Sequence, residues 1–435
     1  MALPAALSLP SLTLPAFALP SLALPSLSLL HAPTHASTLR APPPRLSAAA
    51  AALSAASPAG AAFHQEVLDW LEGEGLQWTD AAHLPPAHTH TDRPVLLVGA
   101  LSSSPTVALH LLHTPRAPSD VLPPHATAAF ADAWEEEPRG RTPLPLVHLW
   151  EDEWRQRAQI VRSRLLAMTG RSRRLFARRL KVRRVDAATL EAFLLKHHLW
   201  GPTKARFRYG LFETLDSGED LVAVASFSSR RHVHRAGVRF RSHELIRYCS
   251  RRGVTVVGGI SKLIAAFTRE LEPDDIITVV DRNWGAGDGW GSFGFEQVQR
   301  MPPSTFFVGS SGERCHVYGS GRNPYRRQLP SELVDDFARV HNLNRPISEE
   351  DLGELTSYLQ ACLTQAEHAF FPVHDAGAKR LLLLLSTNAT QDYSMAQLTA
   401  ESDSTRSTAQ QMWLDSNPSY PERYYLELVP IKVDL

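Results

Sequence analysis

Apolar positions recur with helical spacing at Phe63, Val67, Trp70 and Leu71, which predicts a helix at the start of the folded part of the chain. Short apolar runs follow at Val95-Leu96-Leu97-Val98, at 107–112 and from Leu144 to Trp150, and each reads as a strand. Pro115, Pro118, Pro123 and Pro124 mark the material between them as loop. A second helical stripe, Ala158, Val161, Leu165 and Met168, predicts a helix from Glu153 to Thr169, with Gly170 as its stop. Asp186 is placed to cap a helix through Leu190, Phe193 and Leu194.

Beyond residue 205 the pattern alternates. Phe207 to Phe212 and Leu221 to Ser228 predict two strands joined by the turn Asp216-Ser217-Gly218-Glu219, and Glu244 to Cys249 predicts a third. Gly258-Gly259-Ile260-Ser261-Lys262 opens a helix with Leu263, Ala266, Phe267 and Leu271 on its buried side. Ile276 to Val280 reads as a buried strand ending at Asp281-Arg282, and Thr305 to Val308 as another. Leu333 to Leu363 is helix-rich, Leu381–Leu385 and Tyr424–Val433 are expected to pair as strands, and 387–407 is polar and loose. The fold class expected is α/β (α+β), with mixed sheets and helices.

Composition changes this picture at the N-terminus. The chain has 435 residues, enough for two or three domains, yet no Asp or Glu precedes Glu66. Ala, Ser, Leu and Pro dominate this segment, and Arg40 and Arg45 are its cations. Such acid-free, hydroxyl-rich sequence reads as an organelle transit peptide over 1–62, for a chloroplast, with a mitochondrion as the alternative. Proline interrupts every apolar run there, so no membrane span is expected. Cys249, Cys315 and Cys362 are widely separated and offer neither a disulfide framework nor a zinc knuckle. The histidines at 88, 90, 197, 198, 232 and 234 lack neighbouring ligand clusters, so no metal site is expected from them.

Charge changes it again after residue 148. The cluster His148-Leu149-Trp150-Glu151-Asp152-Glu153-Trp154 is followed by twelve cations from Arg155 to Arg184 with no carboxylate among them. The chain as a whole balances 45 basic against 45 acidic residues, so the asymmetry is local. A stripe of this kind suits a polyanion, because each cation at a phosphate releases a condensed counterion. Its candidate contacts are Arg162, Arg164, Arg171, Arg173, Arg174, Arg178, Arg179, Arg183 and Arg184, with DNA or RNA as partner. The plainer reading of Glu151, Asp152 and Glu153 is a solvated strand–helix junction with Trp150 and Trp154 in the core. Further basic clusters stand at 229–235, with Arg239 and Arg241, and at Arg251-Arg252.

Taken in order, HLWEDEW (148–154), VRSRL (161–165), FLLKHHLWG (193–201), YGLF (209–212), LVAVASF (221–227), ELIRYC (244–249), VVGGISKL (256–263), DRNWGAGDGWGSFGF (281–295) and FPVHDAGAKR (371–380) resemble a family of phage-encoded homing-endonuclease-like proteins. These join a nuclease domain resembling the very-short-patch repair endonuclease to a domain of the GNAT acyltransferase fold. The resemblance implies a restriction-endonuclease-like domain over 63–154, a basic helical connector over 155–204, a GNAT-like domain over 205–325 and an extension over 326–435. Cleavage in that family needs carboxylates on a central strand to hold Mg²⁺ and activate water. The runs at 95–112 carry none, so the nuclease half reads as degenerate, with Glu66, Glu151, Asp152, Glu153 and Asp281 as the remaining candidate acids.

For the GNAT-like half, the resemblance implies acetyl-CoA, its pyrophosphate held on backbone N–H groups at a helix start by Gly258, Gly259, Ser261 and Lys262. The chain departs from that pattern: Thr255 stands where a cation is usual, Ile260 where a second glycine is usual, and Trp290 where a tyrosine acid is usual. The plainer reading of the two glycines is close packing of the helix on the sheet. Tyr248 and Cys249 are the other proton donors nearby. Asp281-Arg282 reads as a phosphate contact or as an internal pair orienting the glycine-rich loop. The first functional reading is therefore a nucleic-acid-binding protein without nuclease activity. The alternatives are a CoA-dependent N-acyltransferase and a non-catalytic organellar scaffold.

Overall fold

The computed structural model describes residues 58–81, 93–100, 103–136, 144–235, 238–309, 312–316, 327–345, 347–348, 350–362 and 369–385. The expected transit peptide and the strand at Tyr424–Val433 lie outside these residues, except that the first helix begins at Pro58, inside the leader segment 1–62.

Helix α1 (Pro58–Gly73) precedes strands β1 (Leu76–Asp80), β2 (Val95–Ala100) and β3 (Val107–Leu112), which pair antiparallel in that order. Helix α2 (Ala126–Glu136) then crosses over to β4 (Leu146–Trp150), which lies parallel to β3. Strands β3 and β4 are buried at every position, as continuous apolar runs must be when helices cover both faces. Val107, Leu109 and Leu111 face α1, while Ala108 packs with Phe130, Ala131 and Trp134 of α2. Strand β1 and helix α2 were not legible as apolar patterns. The first is LQWTD, and the second follows proline-rich loop and carries alanines in place of large side chains.

After β4 come α3 (Glu151–Gln156) and α4 (Ala158–Met168). The single helix expected over Glu153–Thr169 breaks at Arg157 (φ −122°, ψ 27°), whose guanidinium donates to the Leu199 carbonyl. Next come β5 (Arg173–Phe176), a 3-10 turn at Ala177–Arg179, β6 (Lys181–Arg184) and α5 (Ala187–His197). The basic segment at 171–184 is thus not a helical connector but two strands. Residues such as Val182 and Leu175 reach a core there while the arginines between them face outward.

The chain continues through β7 (Phe207–Leu215), β8 (Gly218–Phe227), β9 (Arg231–Arg235), β10 (Val238–Ser250), β11 (Val254–Val257), α6 (Gly259–Leu271), β12 (Asp275–Asp281) and β13 (Glu296–Met301). It ends with β14 (Thr305–Val308), β15 (Arg314–His316), β16 (Arg327–Gln328), α7 (Ser331–Val340), α8 (Leu352–Ala361), β17 (Phe371–His374) and β18 (Ala378–Leu384).

The central eight-stranded sheet runs β13-β18-β12-β10-β8-β7-β6, with β9 paired to β10. Helix α6 covers one face through Ile260, Leu263, Ile264 and Phe267, with Phe267 stacked on Phe227 at 3.9 Å between ring centroids. Helix α5 covers the other through Leu190, Phe193 and Leu194, capped by the Asp186 carboxylate on Thr189 N–H at 2.7 Å. Two expected boundaries move. Strand β6 joins this sheet from the segment 155–204, and β18 joins it from 326–435, between β12 and β13. Strands β14 to β17 and helices α7 and α8 form a smaller unit around Phe307, Phe337 and Leu355.

Candidate functional site

Every neighbouring pair in the central sheet is antiparallel except β10 and β12. These run parallel over four pairs, Ser242↔Asp275 to Leu245↔Thr278, with Thr278 Oγ1 donating to the Leu245 carbonyl at 3.0 Å. Beyond that point β10 follows β8 through a bulge between Leu245 and Arg247, whereas β12 follows β18 as far as Asp281↔Ala378. The two strands therefore part, and their diverging ends leave a switch point in the sheet, the place where α/β folds hold ligands.

On the α5 side the opening is walled by the connection after α5 and by α4. Trp200 donates from Nε1 to Asp281 Oδ2 at 2.9 Å and from its backbone N–H to His198 Nδ1 at 3.1 Å. His198 Nδ1 is thus the acceptor, and the neutral ring carries its proton on Nε2. Burial, then Arg247, Arg164 and Arg157, holds the His198 pKa well below the usual imidazole range. The Arg164 guanidinium lies over the Trp284 ring, 4.3 Å from its centroid. More than a third of the Arg164 surface is solvent-accessible, yet burial pulls its pKa down against the charges of Asp281, Cys249 and Glu153. Arg164 thus stands at a surface crevice beside Trp284, within reach of the Asp281 charge. Cys249 is buried there, and burial pushes its thiol up to about 12.

On the α6 side, Gly258 caps the helix in the left-handed region (φ 73°). A Cβ at Gly259 would lie 2.5 Å from Tyr248 Oη and 2.9 Å from Val256 Cγ1, so the glycine permits close packing on the sheet. Ser261 is exposed. The Lys262 ammonium is used internally, donating to the Ala177 and Leu180 carbonyls at 2.9 and 2.6 Å. Thr255 Oγ1 lies 2.5 Å from Ser172 Oγ. Trp290 packs against Phe295 at 5.2 Å between ring centroids. Burial raises the Tyr248 pKa, so its phenol stays protonated.

The acidic cluster at the start of α3 is not a solvated junction. Trp150 and Trp154 are in the core as expected, but Glu151, Asp152 and Glu153 are buried with them. Each sits opposite arginine: Glu151 with Arg116 at 2.7 Å and Arg155 at 3.1 Å, Asp152 with Arg314 at 2.8 Å, and Glu153 near Arg314 at 3.8 Å. Burial works against the Glu151 carboxylate, and the Arg116 and Thr114 hydrogen bonds more than offset it, so its pKa is lowered. Glu153 lacks that compensation, and burial raises its pKa. Glu66 accepts from Trp154 Nε1 at 2.9 Å and faces Arg155 and Arg162, each 3.7 Å away. Asp281 and Arg282 do not form the internal pair expected of them. Asp281 accepts from Trp200 and from Asn283 N–H, while Arg282 reaches Asp132 and Glu135 of α2 and the Ala376 carbonyl. Through Asn283, whose carbonyl accepts from His148 N–H at 2.8 Å, this loop also extends the β4 edge.

The basic stripe divides in the same way. Arg173 pairs with Glu213, Lys181 and Arg183 with Glu219, and Arg184 with Glu270. Arg162 lies over Trp154 at 4.6 Å from the ring centroid, and Arg164 enters the crevice. Arg171, Arg174, Arg178 and Arg179 are exposed and have no ion-pair partner among the described residues. Among the described residues no group of three or more His, Cys, Asp or Glu could hold a metal ion.

Sequence reasoning missed His198, Trp200, Trp284 and Arg247 as wall residues. All four lie inside motifs that carry the family resemblance (FLLKHHLWG, ELIRYC and DRNWGAGDGWGSFGF), and that grouping was the available signal.

No known protein family and no curated protein matches the chain. Among solved structures, a protein described as histone acetyltransferase HPA2 and related acetyltransferase from Corynebacterium glutamicum aligns with 29% of this chain and 89% of its own, at 14% identity and a TM-score of 0.22. A conserved protein of unknown function from Enterococcus faecalis, described as a probable N-acyltransferase, aligns with 31% of this chain and 40% of its own, at 15% identity and a TM-score of 0.21. Likeness at this level carries no functional argument.

Proposed function

We propose that the chain is an acyltransferase of the GNAT type that takes acyl-CoA at the opening between β10 and β12. The observation that carries this reading is the lone parallel pair in an antiparallel sheet, ending after four residue pairs beside a glycine-capped helix start. Oriented backbone N–H groups at such a start favour a pyrophosphate. The residues present fit one in part. A Cβ at Gly258 would meet only Ala177 Cβ, at 3.8 Å, so the approach to the helix is clear of side chains there. With Lys262 committed to carbonyls, the exposed cations of the adjoining turn are Arg178 and Arg179. Bound acyl-CoA supplies the activated acyl group. In this chain Tyr248, a protonated phenol packed against Gly259, is the donor available to a leaving thiolate.

Titration calorimetry and thermal unfolding with acetyl-CoA test the reading. At 100 times Kd the ligand should add about 2.7 kcal/mol of stability. Gly258→Glu, which places a carboxylate at the helix start, should abolish the effect. Absence of any acetyl-CoA binding by the unaltered chain would refute the reading.

A second reading, a nucleic-acid-binding surface, is favoured by the exposed arginines at 171, 174, 178 and 179, which have no ion-pair partner among the described residues, beside Phe176, which is 43% exposed. Binding to a mixed-sequence duplex should then weaken steeply with added salt. Joint charge removal at Arg173, Arg174, Arg178 and Arg179 should flatten that slope, and a salt-independent affinity rules the reading out.

A further inference from the structure

The crevice on the α5 side of the opening is lined by hydrogen-bond donors. Arg164 has no ion-pair partner among the described residues, is solvent-accessible, and has its Cζ over the Trp284 ring, 4.3 Å from the centroid. Trp284 is 8% exposed and supplies the ring beneath that guanidinium. His198 presents Nε2–H, because Trp200 N–H occupies Nδ1. Arg247 and Arg157 stand close enough for their charges, with that of Arg164, to act on the His198 ring. The acid on the same wall, Asp281, already accepts from Trp200 Nε1 and Asn283 N–H. A guanidinium without an ion-pair partner, standing near further cations, costs free energy unless a ligand supplies lone pairs.

We propose that this crevice binds the anionic group of a small acyl acceptor, a carboxylate or a phosphate borne next to the nucleophilic amine. The proposal rests on the acyltransferase reading for its role, though not for its binding chemistry. A planar guanidinium lying over an indole presents parallel N–H groups, the geometry that carboxylate and phosphate oxygens match. The His198 Nε2–H adds a neutral donor that cannot repel a second positive group. The acceptor's amine would then be held toward the diverging ends of β10 and β12, where the acyl group arrives. Transfer would form the amide bond as the thioester bond breaks, with the amine's proton lost and the thiolate protonated.

The test uses the full chain and two independent measurements. The first is calorimetric titration with inorganic phosphate and, separately, with acetate. The unaltered protein should bind at least one of them, and Arg164→Gln should weaken that binding at least tenfold. Arg164→Lys, which keeps the charge but loses the fork and the stacking, should recover only part of it. Arg269→Gln, at an exposed position in the last turn of α6, should leave it unchanged. The second is thiol release from acetyl-CoA with glycine against glycinamide, and with 2-aminoethyl phosphate against ethanolamine. The anionic member of one pair should be favoured at least tenfold, and which pair it is distinguishes carboxylate from phosphate. Anion binding that ignores Arg164→Gln overturns the proposal, as does no anion binding at all. Arg164-dependent anion binding without acetyl-CoA binding keeps the crevice and rejects the acyltransferase reading. Acetyl-CoA binding without anion binding does the reverse.

Discussion

Arg314 and Asp152 form a two-point ion pair, Nε to Oδ2 at 2.8 Å and Nη2 to Oδ1 at 2.9 Å, across 162 positions of chain. Both side chains are buried, and the guanidinium also lies over Trp150 and Phe306. Burial disfavours the cation, but the carboxylates of Asp152 and Glu153 more than offset this and raise its pKa. The acidic-aromatic cluster thus ties β15 of the small C-terminal unit to the end of β4. Removing one partner leaves the other charge buried and alone. Asp152→Ala and Arg314→Ala should each cost about 3–5 kcal/mol in urea unfolding. The double change Asp152→Leu, Arg314→Met should restore part of it, because the Asp152 charge goes with its partner while buried Glu153 loses Arg314. Single-variant losses under about 1 kcal/mol would show that water reaches the pair.

His148 is fully buried, and burial followed by the charge of Arg282 brings its pKa down to about 3. The unfolded chain takes up this proton near pH 6.5, the folded one only near 3, so between those values the unfolded state holds more protons. Its contribution is constant above about pH 6.5 and is lost as pH falls toward 3, at a slope approaching about 1.4 kcal/mol per pH unit. His197, brought down to about 4 by burial and by Arg252, acts in the same direction. Glu153, whose pKa burial raises, acts oppositely. The measurement is therefore a difference: unfolding free energies of the unaltered chain and His148→Asn from pH 7.5 to 4.5. The variant's curve should be the flatter one; parallel curves would mean that His148 is protonated in the fold.

Gly259 is fixed by the Tyr248 hydroxyl together with the Val256 side chain. An added Cβ would meet Tyr248 Oη at 2.5 Å, so Gly259→Ala should destabilise by about 1–3 kcal/mol. Tyr248→Phe in the same chain should recover part of this, since Val256 Cγ1 at 2.9 Å remains crowded. Thermal unfolding of the two single variants and the double variant gives the coupling directly. Additive losses would place the strain in the backbone instead.

The elements with long apolar runs were legible: β2, β3, β4, β8, β12 and α6 all stand where their periodicity puts them, because one period dominates each. The cap at Asp186 and the stop at Gly170 (φ 76°) follow from side-chain and backbone chemistry that is local by nature. The partners were not legible. Arg173, Arg183 and Arg184 read as a free basic face, but their acids, Glu213, Glu219 and Glu270, come from strands and helices far along the chain. The same holds for β18, whose leucines announce a buried strand without saying that it enters between β12 and β13. The crevice required α4, the turn after α5 and the loop after β12 to converge, and no spacing rule covers three separate segments.

Lys262 tests whether the start of α6 is a ligand site or a structural joint. Its ammonium donates to two carbonyls, Ala177 and Leu180, on either side of the turn that links β5 to β6. Those carbonyls have fixed directions, so the lysine holds the turn against the helix. Lys262→Met keeps the stem length and removes both hydrogen bonds. It should cost about 1–3 kcal/mol, since hydrogen bonds to a charged group are worth roughly 1.5–3 kcal/mol each and water can replace them in part. Amide exchange should rise at 175–180 and stay unchanged in α5. Because the ammonium already faces those carbonyls, acetyl-CoA affinity should change less than threefold in Lys262→Met, measured well below its melting temperature. A tenfold loss of affinity with normal amide protection at 175–180 would reverse the assignment and return Lys262 to the phosphates.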